Sequence, residues 1–145
     1  MLGLEFIAIL SATIFTGAVI YINLAEHPAR MECGTELAAT EFVPSYRRAA
    51  VMQASLALLA ALTGTGAWLI GAPRAWFSAA VLIFAVVPFT LIAIMPINKK
   101  LLDPALDRST ETAHRLLQRW GSLHAVRSIL GLTASIVFLA SMIWS

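Results

Sequence analysis

The chain has 145 residues, of which 59% are hydrophobic and only 12% are charged, and its mean hydropathy is +0.82. Soluble globular domains carry about 25% charged residues, so this composition excludes that class. The single cysteine, Cys33, excludes an internal disulfide and a CxxC redox pair, and with them the thiol-dependent membrane oxidoreductases. The pI of about 9.1 does not indicate nucleic-acid binding, because most Lys and Arg residues flank apolar segments.

Four apolar segments, each long enough to cross a bilayer, follow one another along the chain. They comprise residues 2–24, 46–70, 75–95 and 121–144. Together they leave no room for a separate soluble module, so the sequence predicts one transmembrane domain, residues 1–145, with the all-α fold of a four-helix bundle. The first segment carries Glu5 instead of a positive n-region, so we expect a retained span rather than a cleaved signal peptide.

The three connections between these segments differ in basic charge. The second connection holds only Arg74, whereas the first and third hold eight Lys and Arg residues: Arg30, Arg47, Arg48, Lys99, Lys100, Arg108, Arg115 and Arg119. Basic residues mark cytoplasmic loops, so we predict a multi-pass protein of the cell (inner) membrane with both termini non-cytoplasmic. Trp68, Trp76 and Trp144 lie at the opposite helix ends and fit an outer aromatic belt.

Prolines and charged stretches predict how the helices are joined. Pro28 should end the first helix, and the acidic stretch 29–43 then predicts a short helix on the membrane surface. The charged stretch 103–118 predicts a second surface helix, again in a cytoplasmic connection. The sequence Gly71-Ala72-Pro73 predicts a tight turn, and Pro88 predicts a kink within the third span.

Three polar or aromatic residues near the start of the last span share one helical face. Trp120, His124 and Arg127 have the spacing i, i+4, i+7. An ionisable residue within a span is costly unless it faces protein or a wet cavity, so this stripe predicts a pocket. The alternative is an Arg127 that snorkels to the headgroups. Polar residues at the same ends of the other helices are further candidates: Asn23, Glu26, His27, Tyr46, Gln53 and Asn98.

Several of these candidates also have a structural alternative. Gln53 is equally consistent with a hydrogen bond to a neighbouring helix, and Tyr46 with an anchor at the membrane interface. Asn98 follows Pro96 and could satisfy free carbonyls at the helix end. Glu26 could pair with an arginine, either Arg47 or Arg127. In the third connection, His114 is expected to be solvated.

The chain resembles the anthrone oxygenase-like family of small four-helix membrane proteins. The resemblance covers nearly the whole chain. It rests on Glu26-His27-Pro28, Gln53, Pro96-Ile97-Asn98-Lys99-Lys100-Leu101 and Arg119-Trp120-Gly121-Ser122-Leu123-His124-Ala125-Val126-Arg127. Its more specific parts are the Pro-x-Asn and Trp-x3-His-x2-Arg elements. The resemblance implies a membrane monooxygenase that oxidises polycyclic anthrones to anthraquinones with molecular oxygen and without a metal or flavin cofactor.

Such a reaction would require a base, a charge stabiliser and a dry pocket, because a deprotonated anthrone can reduce oxygen directly. His124 is the candidate base, since the unperturbed pKa of imidazole lies near neutrality. Arg127 or Asn98 could stabilise the developing oxyanion, and Trp120 could stack on a flat substrate. Glu26 could orient an imidazole. Substrate contacts are further expected from Asn23, Glu26, Tyr46, Gln53 and His27, of which His27 is also the alternative base.

Two other classes of function remain open. Glu26, His27 and His124 could form a two-histidine, one-carboxylate metal site in a membrane oxidoreductase. Neighbouring side chains on a helix point about 100° apart, however, so Glu26 and His27 could both ligate only where the helix unwinds. The second alternative is a non-catalytic membrane protein that binds a small lipophilic ligand or a partner. All these interpretations place the chain in a lipid bilayer, without nucleic acid, and are compatible with a homo-oligomer.

Overall fold

A computed structural model describes residues 1–144 of the chain. Within these residues there is no strand, and four long helices account for most of the chain: α1 (Leu2–Glu32), α2 (Thr35–Leu69), α3 (Arg74–Leu101) and α4 (Glu111–Ile143). Each helix is long and apolar enough to cross a membrane. The all-α fold of a multi-pass membrane protein, predicted from the apolar segments, is therefore confirmed.

The four helices form a closed bundle in which α1 and α3 each pack against both α2 and α4. Because the connections are short, successive helices run antiparallel. Residues 33–34 and 102–110 therefore connect helices at the same end of the bundle, which we call the polar end. The turn at the other end contains Gly71 with a φ of 113°, so the tight turn predicted there is present.

Small residues hold the helices close together away from the polar end. The buried residues of this core include Ala8, Ala12, Ala57, Ala60, Ala61, Ala79, Ala80 and Ala134. A Cβ atom added to Gly64 would lie 2.7 Å from the ring of Phe138, so only glycine allows this approach. Close backbone contact of this kind is the main source of helix association in lipid, where burial of apolar surface gives little driving force.

The three tryptophans predicted to form an outer aromatic belt differ in their environments. Trp76 is 1% exposed and packs with its ring centroid 5.2 Å from that of Phe138, so it belongs to the core. Trp68 is half-buried and packs on Phe77, whereas Trp144 is exposed. The belt prediction is therefore wrong for Trp76, because that residue lies on the inner face of α3.

Pro28 does not end the first helix, because a wider helical turn precedes it. Residues Ile22–Glu26 form a π-helical turn, in which the backbone N–H of His27 donates to the carbonyl of Ile22. The helix then continues through Pro28 to Glu32. In α3 a second π-helical turn, Thr90–Ile94, stands in the same position before Pro96. Such a wider turn makes room for the proline ring and tolerates the absence of its backbone N–H, so the helix does not break.

The connecting segments do not form separate surface helices. The stretch 29–43 is divided between the end of α1, a break at Cys33 and Gly34, and the first turns of α2. In the third connection, 102–110 is irregular and the remainder is the start of α4. The physical reason is that these segments carry buried apolar residues, including Phe42 and Leu117, which pack together as an extension of the bundle.

Candidate active site at the polar end of the bundle

Side chains from all four helices enclose a small cavity near the polar end, which we call the chamber. Its volume is about 20 Å³. Seven of the nine residues predicted as site residues line it: Glu26, Tyr46, Gln53, Asn98, Trp120, His124 and Arg127. The other two, Asn23 and His27, lie outside the chamber walls. Asn23 contacts His124, and His27 contacts Trp120.

His124 is fully buried, and its two ring nitrogens have different environments. Nδ1 lies 2.8 Å from Oδ1 of Asn23, whose Nδ2 donates to the carbonyl oxygen of Gly121 at 3.0 Å. A carbonyl can only accept, so the Asn23 amide must turn its Nδ2 toward Gly121 and its Oδ1 toward His124. His124 therefore carries its proton on Nδ1. Its buried Nε2 has no hydrogen-bond partner among residues 1–144 and presents a lone pair.

Asn23 reaches His124 from the π-helical turn of α1, and a second residue supports it. Ser128 lies one turn beyond His124 on α4, and its Oγ is 2.6 Å from Asn23 Oδ1 and 3.1 Å from the carbonyl oxygen of Val19. The sequence interpretation did not select Ser128. Its spacing of four residues from His124 places it on the same stripe and could have identified it.

Trp120 is held by protein on several sides rather than presenting an open platform. Its Nε1 donates to Oδ1 of Asn98 at 2.9 Å, and both residues are buried. Its ring stacks on that of His124 at 4.7 Å between centroids, and Phe42 meets it edge-on at 5.2 Å. His27 packs against it as well, also at 5.2 Å. Trp120 therefore fixes the position of the His124 imidazole.

Arg127 points into the bundle and does not snorkel to the membrane surface. Its Nη2 donates to Oε1 of Gln53 at 2.8 Å, and its guanidinium lies 5.7 Å from the ring centroid of Phe15. The pairing of Arg127 with Glu26, considered from the sequence, is not formed. Within residues 1–144 Arg127 forms no ion pair. Its positive charge thus borders the chamber without a carboxylate to neutralise it.

Glu26 pairs with a residue that the sequence interpretation missed. Its Oε1 accepts from Nη2 of Arg30 and from Oγ of Ser45, the latter at 2.9 Å. Nε of Arg30, a buried residue, lies 2.8 Å from Oε2 of Glu41 on α2. Glu26 thus pairs with neither Arg47 nor Arg127 and does not orient an imidazole. The spacing of four residues between Glu26 and Arg30 was the available signal.

His27 does not line the chamber and packs against Trp120 and Gly121. A Cβ atom added to Gly121 would lie 2.5 Å from His27 Nε2, which shows how closely α1 and α4 approach there. Within residues 1–144 no group of three or more His, Cys, Asp or Glu side chains could hold a metal ion. The set Glu26, His27 and His124 is therefore not assembled as a ligand group, because successive helical positions point in different directions.

Comparison with known protein families matches residues 42–137 to the family described as anthrone oxygenase. The chain belongs to this family. One curated relative, the anthrone oxygenase of Claviceps purpurea (strain 20.1), is 26% identical over 149 residues, which cover 93% of this chain and 86% of the relative. No solved structure matches the chain significantly. The resemblance inferred from the sequence motifs is thus confirmed.

The range matched to the anthrone oxygenase family contains most of the chamber. Gln53, Asn98, Trp120, His124 and Arg127 lie within residues 42–137, whereas α1 lies outside it. The chamber is completed by α1, which supplies Ile22, Glu26 and Arg30. The site is therefore an arrangement of the whole bundle and not of the matched range alone.

One histidine outside the chamber also differs from expectation. His114 was expected to be solvated, but its Nδ1 lies 3.1 Å from Oγ1 of Thr35 and the side chain is half-buried. The contact joins the first turns of α2 and α4 at the polar end. His114 therefore has a structural role away from the chamber.

Proposed function

We propose that this member of the anthrone oxygenase family is a membrane-embedded oxygenase that converts an anthrone-like, lipophilic substrate to a quinone with molecular oxygen. In this proposal His124 is the base and the chain needs no bound cofactor. Family membership supports an oxygenase-like role, and the similarity to the Claviceps purpurea anthrone oxygenase supports the substrate class. The observation that carries the proposal is the unpartnered lone pair of His124 Nε2 at the chamber.

A general base needs an accessible lone pair and a fixed orientation. The Asn23 amide holds the proton of His124 on Nδ1, and the stacked Trp120 ring fixes the plane of the imidazole. Nε2 therefore remains free to accept a proton. Because His124 is fully buried, this lone pair is shielded from bulk water.

The chamber also presents donors that have no partner within residues 1–144. These are Nε2 of Gln53, Nδ2 of Asn98 and Nε of Arg127, all of them buried. A buried polar group without a partner costs about 1–3 kcal/mol, so a cluster of them in one cavity favours a ligand that accepts hydrogen bonds. The charge of Arg127 would stabilise an oxyanion that develops on such a ligand, and Asn98 would add a neutral donor.

The proposed reaction balances with one molecule of oxygen. His124 removes a proton from the methylene carbon opposite the anthrone carbonyl, which leaves a delocalised anion. This anion transfers two electrons to dioxygen as a carbon–oxygen bond forms, and His124 returns its proton to the peroxide oxygen, which gives a hydroperoxide. His124 then removes the second methylene hydrogen as a proton, and the electron pair of that C–H bond forms the second carbonyl as the O–O bond breaks and hydroxide leaves. The hydroxide takes this second proton from His124 and departs as water.

The test is oxidation of anthrone by purified protein in lipid nanodiscs, followed by oxygen uptake and quinone absorbance. His124→Gln keeps size and polarity but cannot act as a base, so we expect a kcat lower by about 10²–10⁴-fold. Under anaerobic conditions the same variant should lose the catalysed exchange of deuterium into the substrate methylene group. Arg127→Leu should lower kcat while the protein keeps its helical content, because the charge and its desolvation cost are both removed.

The matched control is His114→Gln, which alters a histidine outside the chamber and retains a hydrogen-bonding group for Thr35. Its kcat should equal that of the unmodified protein. An unchanged rate in His124→Gln would reject the role of His124 as base. Saturable binding of anthraquinone by an unmodified protein that does not oxidise anthrone would instead favour the alternative of a non-catalytic protein that binds a lipophilic ligand.

A further inference from the structure

A second cavity, which we call the α2–α3 cleft, lies between α2 and α3 next to the chamber. Its volume is about 170 Å³. Its outer walls are apolar and include Ala54 and Ala57 of α2 and Val87 and Leu91 of α3. Ala54 and Leu91 are exposed on the outer surface of the bundle, within helices apolar enough to cross the bilayer. The mouth of the cleft therefore faces lipid.

The inner wall of the α2–α3 cleft is shared with the chamber. Four residues line both cavities: Tyr46, Ala50, Gln53 and Arg127. The hydrogen bond from Arg127 Nη2 to Gln53 Oε1 therefore forms part of the partition between them. Gln53 is 2% exposed, and its Nε2 has no partner within residues 1–144, nor has Nε of Arg127. The apolar cleft thus ends at a wall that carries unpaired hydrogen-bond donors.

The two volumes suit different molecules. A cavity needs about 10–15 Å³ to hold one water, so the chamber, at 20 Å³, accommodates one molecule of the size of water or dioxygen. A dry apolar cavity of about 150 Å³ accommodates a benzene ring. The cleft, at 170 Å³, is large enough for one ring of a fused aromatic system, and its open mouth lets the other rings extend toward the lipid.

We infer that the α2–α3 cleft is the ring-binding subsite and the entrance for a flat, polycyclic aromatic ketone that enters edge-on from the bilayer. This inference rests on the proposed function and names the route to the same site. The partition opens when Arg127 exchanges its hydrogen bond from Gln53 Oε1 to an oxygen of the substrate. A neutral amide is released more easily than a carboxylate, because no buried ion pair has to be broken. The reacting edge then faces His124.

The wall chemistry favours an aromatic ketone over an acyl chain as the occupant. The hydroxyl of Thr90, which also lines the cleft, donates to the carbonyl of Val86 at 2.7 Å and offers no donor to a ligand. Among residues 1–144, the side-chain donors that the cleft offers are therefore those of its inner wall, on Tyr46, Gln53 and Arg127. An acyl chain would fill the apolar part and leave these donors unpaired, whereas a ring ketone satisfies both parts.

The experiment blocks the cleft and measures binding of 9,10-anthraquinone, which needs no turnover. Ala54→Phe places a ring at the cleft mouth, and because Ala54 is exposed the core is not disturbed. Leu91→Trp blocks the opposite wall as an independent second variant. Saturable anthraquinone binding in nanodiscs should weaken at least tenfold in each, or about 1.4 kcal/mol. Ser55→Phe, at an exposed neighbouring position outside the cleft lining, is the control and should bind normally.

Binding by both blocked variants at the affinity of the unmodified protein would overturn the inference. So would the absence of saturable binding to the unmodified protein beyond partitioning into empty nanodiscs, since the cleft would then hold only acyl chains. The proposed function fails separately. If the blocked variants lose binding but the unmodified protein does not oxidise anthrone, the cleft assignment stands without the oxygenase. If anthrone oxidation persists unchanged in the blocked variants, the oxygenase stands and the cleft assignment falls.

Discussion

Gly121→Ala tests whether the close approach of α1 and α4 holds the candidate site together. A Cβ atom at this position would lie 2.5 Å from Nε2 and 2.7 Å from Cδ2 of His27, whereas ordinary contact begins at 3.4 Å. The imidazole would therefore have to move by about 0.9 Å, the difference between 3.4 Å and 2.5 Å. It is buried and packs against Trp120, so such a movement must also shift its neighbours or separate the helices.

Overpacking of this kind destabilises a core by about 1–3 kcal/mol, and we expect that loss in unfolding followed by heat or by denaturing detergent. The double variant with His27→Ala removes the clashing ring. The double variant should therefore lose less unfolding free energy than the two single variants added together. The difference should be about 0.5–3 kcal/mol, the usual coupling energy of residues in direct contact. Separation of α1 from α4 would also weaken the hydrogen bond from Asn23 to the Gly121 carbonyl, so activity should fall with stability.

Gly17→Ala is the matched control, since a Cβ atom there meets nothing within 4 Å, and it should cost no stability. Two results would refute the reasoning about Gly121. One is a Gly121→Ala protein as stable as the unmodified chain. The other is strict additivity with His27→Ala, which would mean that the His27 ring is not the obstacle.

Two further predictions concern charge and topology. Arg30→Met should destabilise the bundle by about 1–3 kcal/mol, because Glu26, which is 28% exposed, loses its charged hydrogen-bond partner, whereas Glu41 remains solvated. Arg115→Met breaks an exposed pair and should change the free energy of unfolding by less than about 1 kcal/mol. Cys33 is exposed, and the charge bias predicts that an impermeant maleimide labels it in inverted vesicles but not in intact cells. Ser145 lies outside the described residues. The double variant Ser145→Cys with Cys33→Ser should be labelled in intact cells but not in inverted vesicles. Labelling of this variant from the cytoplasmic side alone would contradict the predicted non-cytoplasmic C-terminus.

The helix number and the general position of the site could be predicted from the sequence. A run of about 20 apolar residues has few alternatives to a spanning helix. Lipid offers no hydrogen bonds, so every backbone N–H and C=O group in the segment must find its partner within the protein. The stripe of Trp120, His124 and Arg127 followed from helical spacing alone, and all three residues line the chamber. The predicted end of α1 was wrong. The prediction assumed that a proline ends a helix, and the π-helical turn before Pro28, which lets α1 continue, has no simple sequence signal.

The partners of the polar groups were decided only by the tertiary structure. Arg127 bonds to Gln53 and not to Glu26, Glu26 pairs with Arg30, and Asn23 sets the tautomer of His124. Each pairing depends on how far a helix is rotated about its axis and shifted along it. In a soluble bundle the apolar face specifies that rotation, but in a membrane the lipid-facing and core-facing sides are both apolar. The sequence therefore determined four spans with a polar layer at one end, whereas close packing at residues such as Gly121 determined the contacts and the two cavities.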